Sequence, residues 1–219
     1  MRKLILMMLV VLVIGVQSLC SAATIETAHF NGGSHSAWGA CGLKYPIVST
    51  GDAAIDKKIN TAIIAEIDRF VTGVYRNAQV NNYDVADVRT SYEIPCNQAG
   101  NTVILSVLIT ESNYYKGGAH PATYRHALNF NISSGELMGL NYLTDIGEGV
   151  SVEELKSRLE RRLREHCESN NLYLFPDALP LKDLPENFYW DSNLHVHFIF
   201  PHYAVAPYAM GIIDVDIDI

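Results

Sequence analysis

The sequence predicts an α+β fold: two long helices packed on an antiparallel β-sheet, in a single domain. Three observations predict it. Two stretches, one after Asp52 and one after Ser151, place apolar residues at three- and four-residue steps, the period of an amphipathic helix. Seven or eight shorter stretches alternate or run apolar between turn residues, as strands do. No repeated strand–helix–strand rhythm connects them, which sets aside a doubly wound parallel sheet.

The chain opens with Arg2 and Lys3 and then an apolar run, Leu4 to Val16, of 13 residues. A membrane-spanning helix needs about 20. The run is therefore read as the core of an export signal, with Cys20-Ser21-Ala22 or Ser21-Ala22-Ala23 as the small residues for cleavage. Leu19 stands where a lipobox wants a small residue, which argues against a lipid on Cys20. Residues 1–23 are expected to be removed, leaving a periplasmic or secreted domain over 24–219 with no later membrane span. Its first segment, 24–100, holds the longer helix, and its second, 101–219, a glycine-rich motif. The mature part carries 14 basic and 24 acidic residues, a net charge of −10. That balance argues against nucleic acid, whose phosphates want basic surface, and suits a cationic partner.

Taken in order, Thr24 to Val48 reads as strands broken by a loop at Asn31-Gly32-Gly33-Ser34. Ser49 to Asp52 supplies helix caps. In the helix that follows, to about Asn77, Ile55, Ile59, Ile63, Ile67, Phe70, Val71 and Val74 form one stripe. Asp56, Lys57, Asn60, Glu66 and Arg69 fall mostly off that stripe and are expected in water. Val88 to Pro95 and Thr102 to Thr110 read as strands, the second Val/Ile/Leu-rich and hence buried. Ala127 to Ile132 is the next strand, closed by a turn at Ser133 to Glu136.

The second helix begins at Ser151, which with Glu154 has the capping-box form. Val152, Leu155, Leu159 and Leu163 make its core face, and Glu154–Arg158 and Glu160–Arg164 are i,i+4 pairs on the wet side. Phe188 to Trp190 and Leu194 to Phe200 make a hairpin across Asp191-Ser192-Asn193. Ile213 to Ile219 is a last strand, with Asp214, Asp216 and Asp218 as a solvated acidic stripe.

Cys41, Cys96 and Cys167 follow the leader. An oxidising compartment favours pairing. Cys41 and Cys96, both beside expected strands, are the expected disulfide, with Cys167 left free near a helix end.

The candidate binding residues lie in two loops. Tyr114-Tyr115-Lys116-Gly117-Gly118-Ala119-His120-Pro121 joins two expected strands. Gly117 and Gly118 permit positive φ and close backbone approach, and Pro121 biases His120 toward an extended conformation. Tyr114 and Tyr115 beside that turn offer a recognition surface. Tyr203, Pro207 and Tyr208 belong to a second aromatic loop, Tyr203 to Gly211.

His195 and His197, two apart on a strand, share a face and with His202 or His120 could hold a metal. That would make the chain a metal-dependent hydrolase of the envelope. The sequence supplies neither an evident third ligand nor an orienting shell. It contains no G-x-S-x-G, H-E-x-x-H or phosphate loop. The neighbours Ser34 and His35 are not a triad. No catalytic residue, metal or cofactor is assigned, and the chain is expected not to be an enzyme.

Three stretches carry a resemblance to a known family. Tyr45-Pro46 with Ile59-Asn60, then Tyr115 to Pro121 with Phe130 and Gly135, then Phe198, Tyr203, Ala206-Pro207-Tyr208-Ala209 and Gly211 occur in the family's order. The chain resembles the bacterial envelope domain of unknown function seen in the RsiV-type anti-sigma factor ectodomain. The same domain occurs in the N-terminal part of PdaC-type peptidoglycan deacetylases. The resemblance implies an α+β fold and an extracytoplasmic, non-catalytic role. Its implied partners are a cationic lysozyme-like protein or peptidoglycan. It is expected to stop short of sigma-factor signalling and of deacetylation. Ala204 replaces the glutamate that follows the family's tyrosine.

Overall fold

The computed structural model describes residues 21–32, 41–99, 102–146 and 150–218. The expected export signal up to residue 20 and the Ser34–His35 pair lie outside the described residues. No described helix is long and apolar enough to cross a membrane.

Strands β1 (Thr24–Gly32) and β2 (Cys41–Ser49) pair antiparallel. Asp52 caps the next helix by accepting the Ala54 and Ile55 N–H groups, and α1 runs over Ala53–Asn81. It ends on Asn82, whose left-handed backbone lets its N–H reach the Ala78 carbonyl. Strands β3 (Val85–Asn97), β4 (Ile104–Tyr115), β5 (Ala122–Asn131) and β6 (Glu136–Leu137) complete a six-stranded sheet in chain order.

The short α2 (Asn141–Ile146) and then α3 (Val152–Ser169) follow. Strands β7 (Phe188–Trp190), β8 (Val196–Phe200) and β9 (Ile213–Ile217) form a separate three-stranded antiparallel sheet.

The α+β class is therefore present, with three differences from the expected layout. The described residues form two sheets. The large one is mixed: Gly42 lies opposite Arg89 and Leu43 opposite Thr90 in a parallel pairing. The reason is α1, which returns the chain to the starting end of β2 and makes β2–α1–β3 a crossover unit. The third difference concerns the helices. Among the described residues only α1, at 29 residues, is long; α3 has 18 and packs on the small sheet through Leu155, Leu159, Leu163 and Cys167.

Strand β4 shows how the layers stack, because Ile104 to Ile109 are all buried. Leu105, Val107 and Ile109 pack under the Ile59, Ile63, Ile67 and Phe70 stripe of α1. The alternate positions meet the small sheet. Leu108 packs with Tyr189 and Ile199. Ser106 Oγ donates to Asn129 Oδ1 (2.7 Å) and accepts the Trp190 N–H (3.1 Å), while Asn129 Nδ2 donates to the Phe188 carbonyl (2.7 Å). Leaving such buried polar groups unpaired would cost about 1–3 kcal/mol each, so they fix how the sheets register.

Several polar expectations are corrected. Asn60 is half-buried and pairs with both backbone groups of Val48 (2.8 and 2.7 Å). Glu66 is buried. Arg158 does pair with Glu154 at 2.5 Å, but Glu160 instead accepts the Leu181 N–H at 2.8 Å. Asp214 and Asp216 are engaged side chains, Asp216 with Arg162 of α3.

The expected Cys41–Cys96 disulfide is absent; Cys41, Cys96 and Cys167 are all buried and free. Register explains it. Cys41 lies level with the start of β3, and Cys96 lies near its far end, so the two stand roughly 20 Å or more apart at about 3.3 Å per residue. A disulfide spans at most about 7 Å between Cα atoms.

Candidate functional site

The two loops singled out in the sequence meet, although nearly ninety residues separate them. Gly117 adopts φ +82°, which a side chain would strain, and the Gly118 N–H closes onto the Tyr115 carbonyl at 3.0 Å. Tyr114 and Tyr115 position this loop. The Tyr114 hydroxyl donates to the Gly118 carbonyl (2.9 Å). The Tyr115 hydroxyl donates to the Val74 carbonyl (3.1 Å) and accepts from Asn77 Nδ2 (2.9 Å), which ties the loop to α1.

The loop's far end, His120, donates through Nδ1 to the Pro121 carbonyl at 3.0 Å. Its ring stacks on Tyr208 with centroids 4.3 Å apart. His202 stacks on the same ring at 4.1 Å, so Tyr208 lies between two imidazoles. The Tyr208 hydroxyl completes the junction by donating to the Pro121 carbonyl at 3.1 Å. Pro207 leads into the short helical turn that carries Tyr208, and Tyr203 is 66% exposed beside it.

Of this junction Tyr115, Gly118 and His120 line a cleft of about 510 Å³, while Tyr114, Gly117, Pro121, Tyr203, Pro207 and Tyr208 stand outside its lining. The opposite wall is the C-terminal half of α1, where Arg69, Phe70, Gly73 and Asn77 face inward. The floor comes from β4 and β5 through Glu111, Asn113, Tyr124 and His126, and Arg125 and Asn187 also line the cleft. Gly73 interrupts a helix interior, where glycine costs about 1 kcal/mol relative to alanine. Open space lies where its side chain would be.

Beneath the cleft lies a carboxylate pair. Glu66 of α1 and Glu111 of β4 are 8% and 2% exposed. Arg69 binds Glu66 through Nε (2.9 Å) and Nη2, and its Nη2 lies 3.5 Å from Glu111 Oε2. His126 Nε2 lies 3.7 Å from Glu66 Oε1. Glu111 Oε1 is buried without a hydrogen-bond partner.

Burial pushes the Glu111 carboxyl up to about 8, and the neighbouring Glu66 charge adds to this; Arg69 only partly opposes them. Burial also acts against ionised Glu66, but the Arg69 hydrogen bond, the His126 and Arg69 charges and the Glu111 hydrogen bond hold it below its ordinary value. The two shifts run in opposite directions, which favours a pair that keeps one proton between its two carboxyls near neutral pH. Burial lowers His126 despite the Glu66 charge.

The histidines proposed for a metal are not assembled around one. His195 lies 3.6 Å from Asp191 and 3.2 Å from Asp218. His197 bonds Asp214 at 2.9 Å and stacks on Tyr189. Among the described residues no three His, Cys, Asp or Glu side chains come together as metal ligands.

Sequence reasoning missed Glu66, Arg69, Glu111 and His126 as site residues. One signal was present: Glu111 continues the odd-numbered phase of Leu105, Val107 and Ile109, the face that α1 covers.

Residues 129–219 match a family model described as "Protein of unknown function (DUF3298)". No curated protein matches the chain. Several chains of solved structures are similar, two of them as follows. A member of the DUF3298 family from Bacteroides fragilis has TM-score 0.59 and 18% identity, with 91% of each chain covered. A DUF3298 family protein from Pseudomonas aeruginosa has TM-score 0.59 and 12% identity, covering 90% of this chain and 91% of its own. At those identities the likeness shows the fold.

Proposed function

We propose that the chain is an exported, non-catalytic binding module of the bacterial cell envelope whose cleft takes a segment of wall glycan. The observation that carries the reading is the cleft's lining. Tyr115, Tyr124 and His120 line it with rings of the kind that pack on sugars, and the Asn113 amide offers a donor and an acceptor for hydroxyl and acetamido groups, whereas the amides of Asn77 and Asn187 are already bonded within the chain. The export signal and the resemblance to envelope proteins support the location.

A lysozyme-like protein is the other partner to which the acid balance and the resemblance point. The cleft itself carries Arg69 and Arg125, so a cationic protein would use surface outside it. Glycan is therefore the reading taken.

Calorimetric titration with chitotriose, co-sedimentation with purified sacculi and a parallel titration with lysozyme test it. Binding to chitotriose and sacculi is expected, and Gly73→Trp, which projects into the open cleft, is expected to weaken both at least tenfold. Lysozyme binding that is indifferent to Gly73→Trp, with no binding to sacculi, would move the site elsewhere.

A further inference from the structure

The charge distribution of the cleft narrows the ligand. The mature part of the chain carries a net charge of −10, yet the charge this cleft offers to solvent is positive. The Arg69 side chain is 59% exposed, while the Glu66 and Glu111 side chains beneath it are 9% and 3% exposed. Arg69 uses Nε and Nη2 on Glu66. The edge that remains is Nη1 with the outer N–H of Nη2, which also stands 3.5 Å from Glu111 Oε2, and a planar two-oxygen acceptor fits such a guanidinium edge.

The unpartnered Glu111 Oε1 is the second observation. A buried, unsatisfied carboxyl oxygen beside another carboxylate costs stability and is unusual unless it has a use. Its proton limits the pair to one negative charge, which Arg69 balances. Loss of that proton would leave two negative charges under one guanidinium and make the position hostile to an anion.

We propose that Arg69 is the anion-binding residue of this cleft, that it takes a ligand carboxylate, and that the Glu66–Glu111 pair beneath it admits that carboxylate only while the pair holds its proton. The inference rests on the glycan reading and specifies it: the ligand is a saccharide bearing a carboxylate, as a lactyl ether or a stem peptide would supply. The other charged or titratable groups facing the pair and its ligand are His126, Tyr124 and Arg125 of β5, Tyr115 of β4 and His120 of the loop. Arg125 is committed to Asp214 at 3.0 Å and adds long-range attraction only.

The test is an NMR titration of the full mature chain with N-acetylmuramic acid and with its uncharged methyl ester, at pH 6, 7.5 and 9. The acid is expected to bind about tenfold tighter than the ester at pH 6, and this preference is expected to fade by pH 9. Glu111→Gln is expected to keep the preference and lose its pH dependence. Arg69→Met is expected to bind acid and ester alike. If Arg69→Met fails to fold, the pH profile of Glu111→Gln decides the matter alone.

Equal binding of acid and ester by the wild-type chain at every pH overturns the inference and leaves the glycan reading standing. So does a pH dependence that survives in Glu111→Gln, which would belong to another group of the cleft. If neither sugar binds the wild-type chain, the glycan reading fails and this inference fails with it.

Discussion

Two carboxylates on opposite faces of the large sheet, Asp214 half-buried and Glu111 buried, have opposite surroundings. Asp214 lies between the sheets and is fully provided for. Its Oδ2 accepts from Arg125 Nη1 (3.0 Å) and the Tyr189 hydroxyl (2.9 Å), and its Oδ1 from His197 Nδ1 (2.9 Å). Burial opposes its ionisation, but the His197 and Tyr189 hydrogen bonds and the nearby positive charges outweigh it and hold its carboxyl below the ordinary value. Glu111 lies under α1 with another carboxylate beside it and nothing on Oε1. Desolvation is large at both sites, so the number of donors decides which way the carboxyl moves. The contrast separates a lock between two sheets from a strained group that a stability argument alone would not place beside an open cleft.

The largest expected effect comes from breaking the lock. Asp214→Ala leaves Arg125, His197 and Tyr189 facing a hole, and losing these hydrogen bonds to a charged group in a half-buried cluster costs about 2–3 kcal/mol. Urea denaturation checks this, and a loss below about 1 kcal/mol would show that Asp214 is dispensable and the comparison mistaken. Its pH signature has a definite sign. Asp214, with a lowered folded value, contributes stability above its unfolded pKa and loses it as pH falls through the folded one. His197 is raised: burial opposes, but the Asp214 bond and charge prevail. Its contribution is therefore complete below its unfolded pKa and fades as pH rises through the folded one.

Glu111 sharpens the other half of the comparison. Its folded value, about 8, lies above the value in the unfolded chain. Its contribution is therefore complete at acid pH and is lost as pH rises toward 8, at up to roughly 1.4 kcal/mol per pH unit. Denaturation midpoints between pH 5 and pH 8.5 should fall for the wild type and fall less for Glu111→Gln. At pH 8.5 the glutamine variant should be the more stable of the two. A wild-type chain with no slope of its own in that window would mean that Glu111 is ionised and paired after all.

How much of this the sequence carried follows from what periodicity can report. It gave the α+β class, the hairpin at Asp191 to Asn193 and the helix stripes, because each depends on residues close in the chain. It singled out the two loops, and the structure brings them together at Tyr208. It did not give the second sheet or the parallel pairing. The apolar run of β4 says that both faces are covered and leaves open by what. The cysteine pairing failed for the same reason, since lying beside a strand says nothing about register. Glu66 was placed in water because it is charged, although it stands three residues from Ile63 and four from Phe70 on the buried stripe.

The smallest effects come from two glycines that contrast a packed junction with the open cleft. Gly135 has φ +72°, and an added Cβ would lie 3.1 Å from the Ile55 carbonyl oxygen and 3.1 Å from Lys58 Cβ. Both backbone strain and contact oppose a side chain, so Gly135→Ala should destabilise by about 1–3 kcal/mol. Gly73 stands in α1 with nothing near the position of its Cβ. There an alanine gains helix propensity without meeting a neighbour, so Gly73→Ala should stabilise by up to about 1 kcal/mol. Paired thermal melts check both signs. If Gly73→Ala were also destabilising, the space beside that face of α1 would be filled in solution, and the cleft would be narrower than its walls indicate. If the signs differ as expected, the wall opposite Tyr115 and His120 is free to receive a ligand, and α1 carries a weak residue there without any packing reason for it.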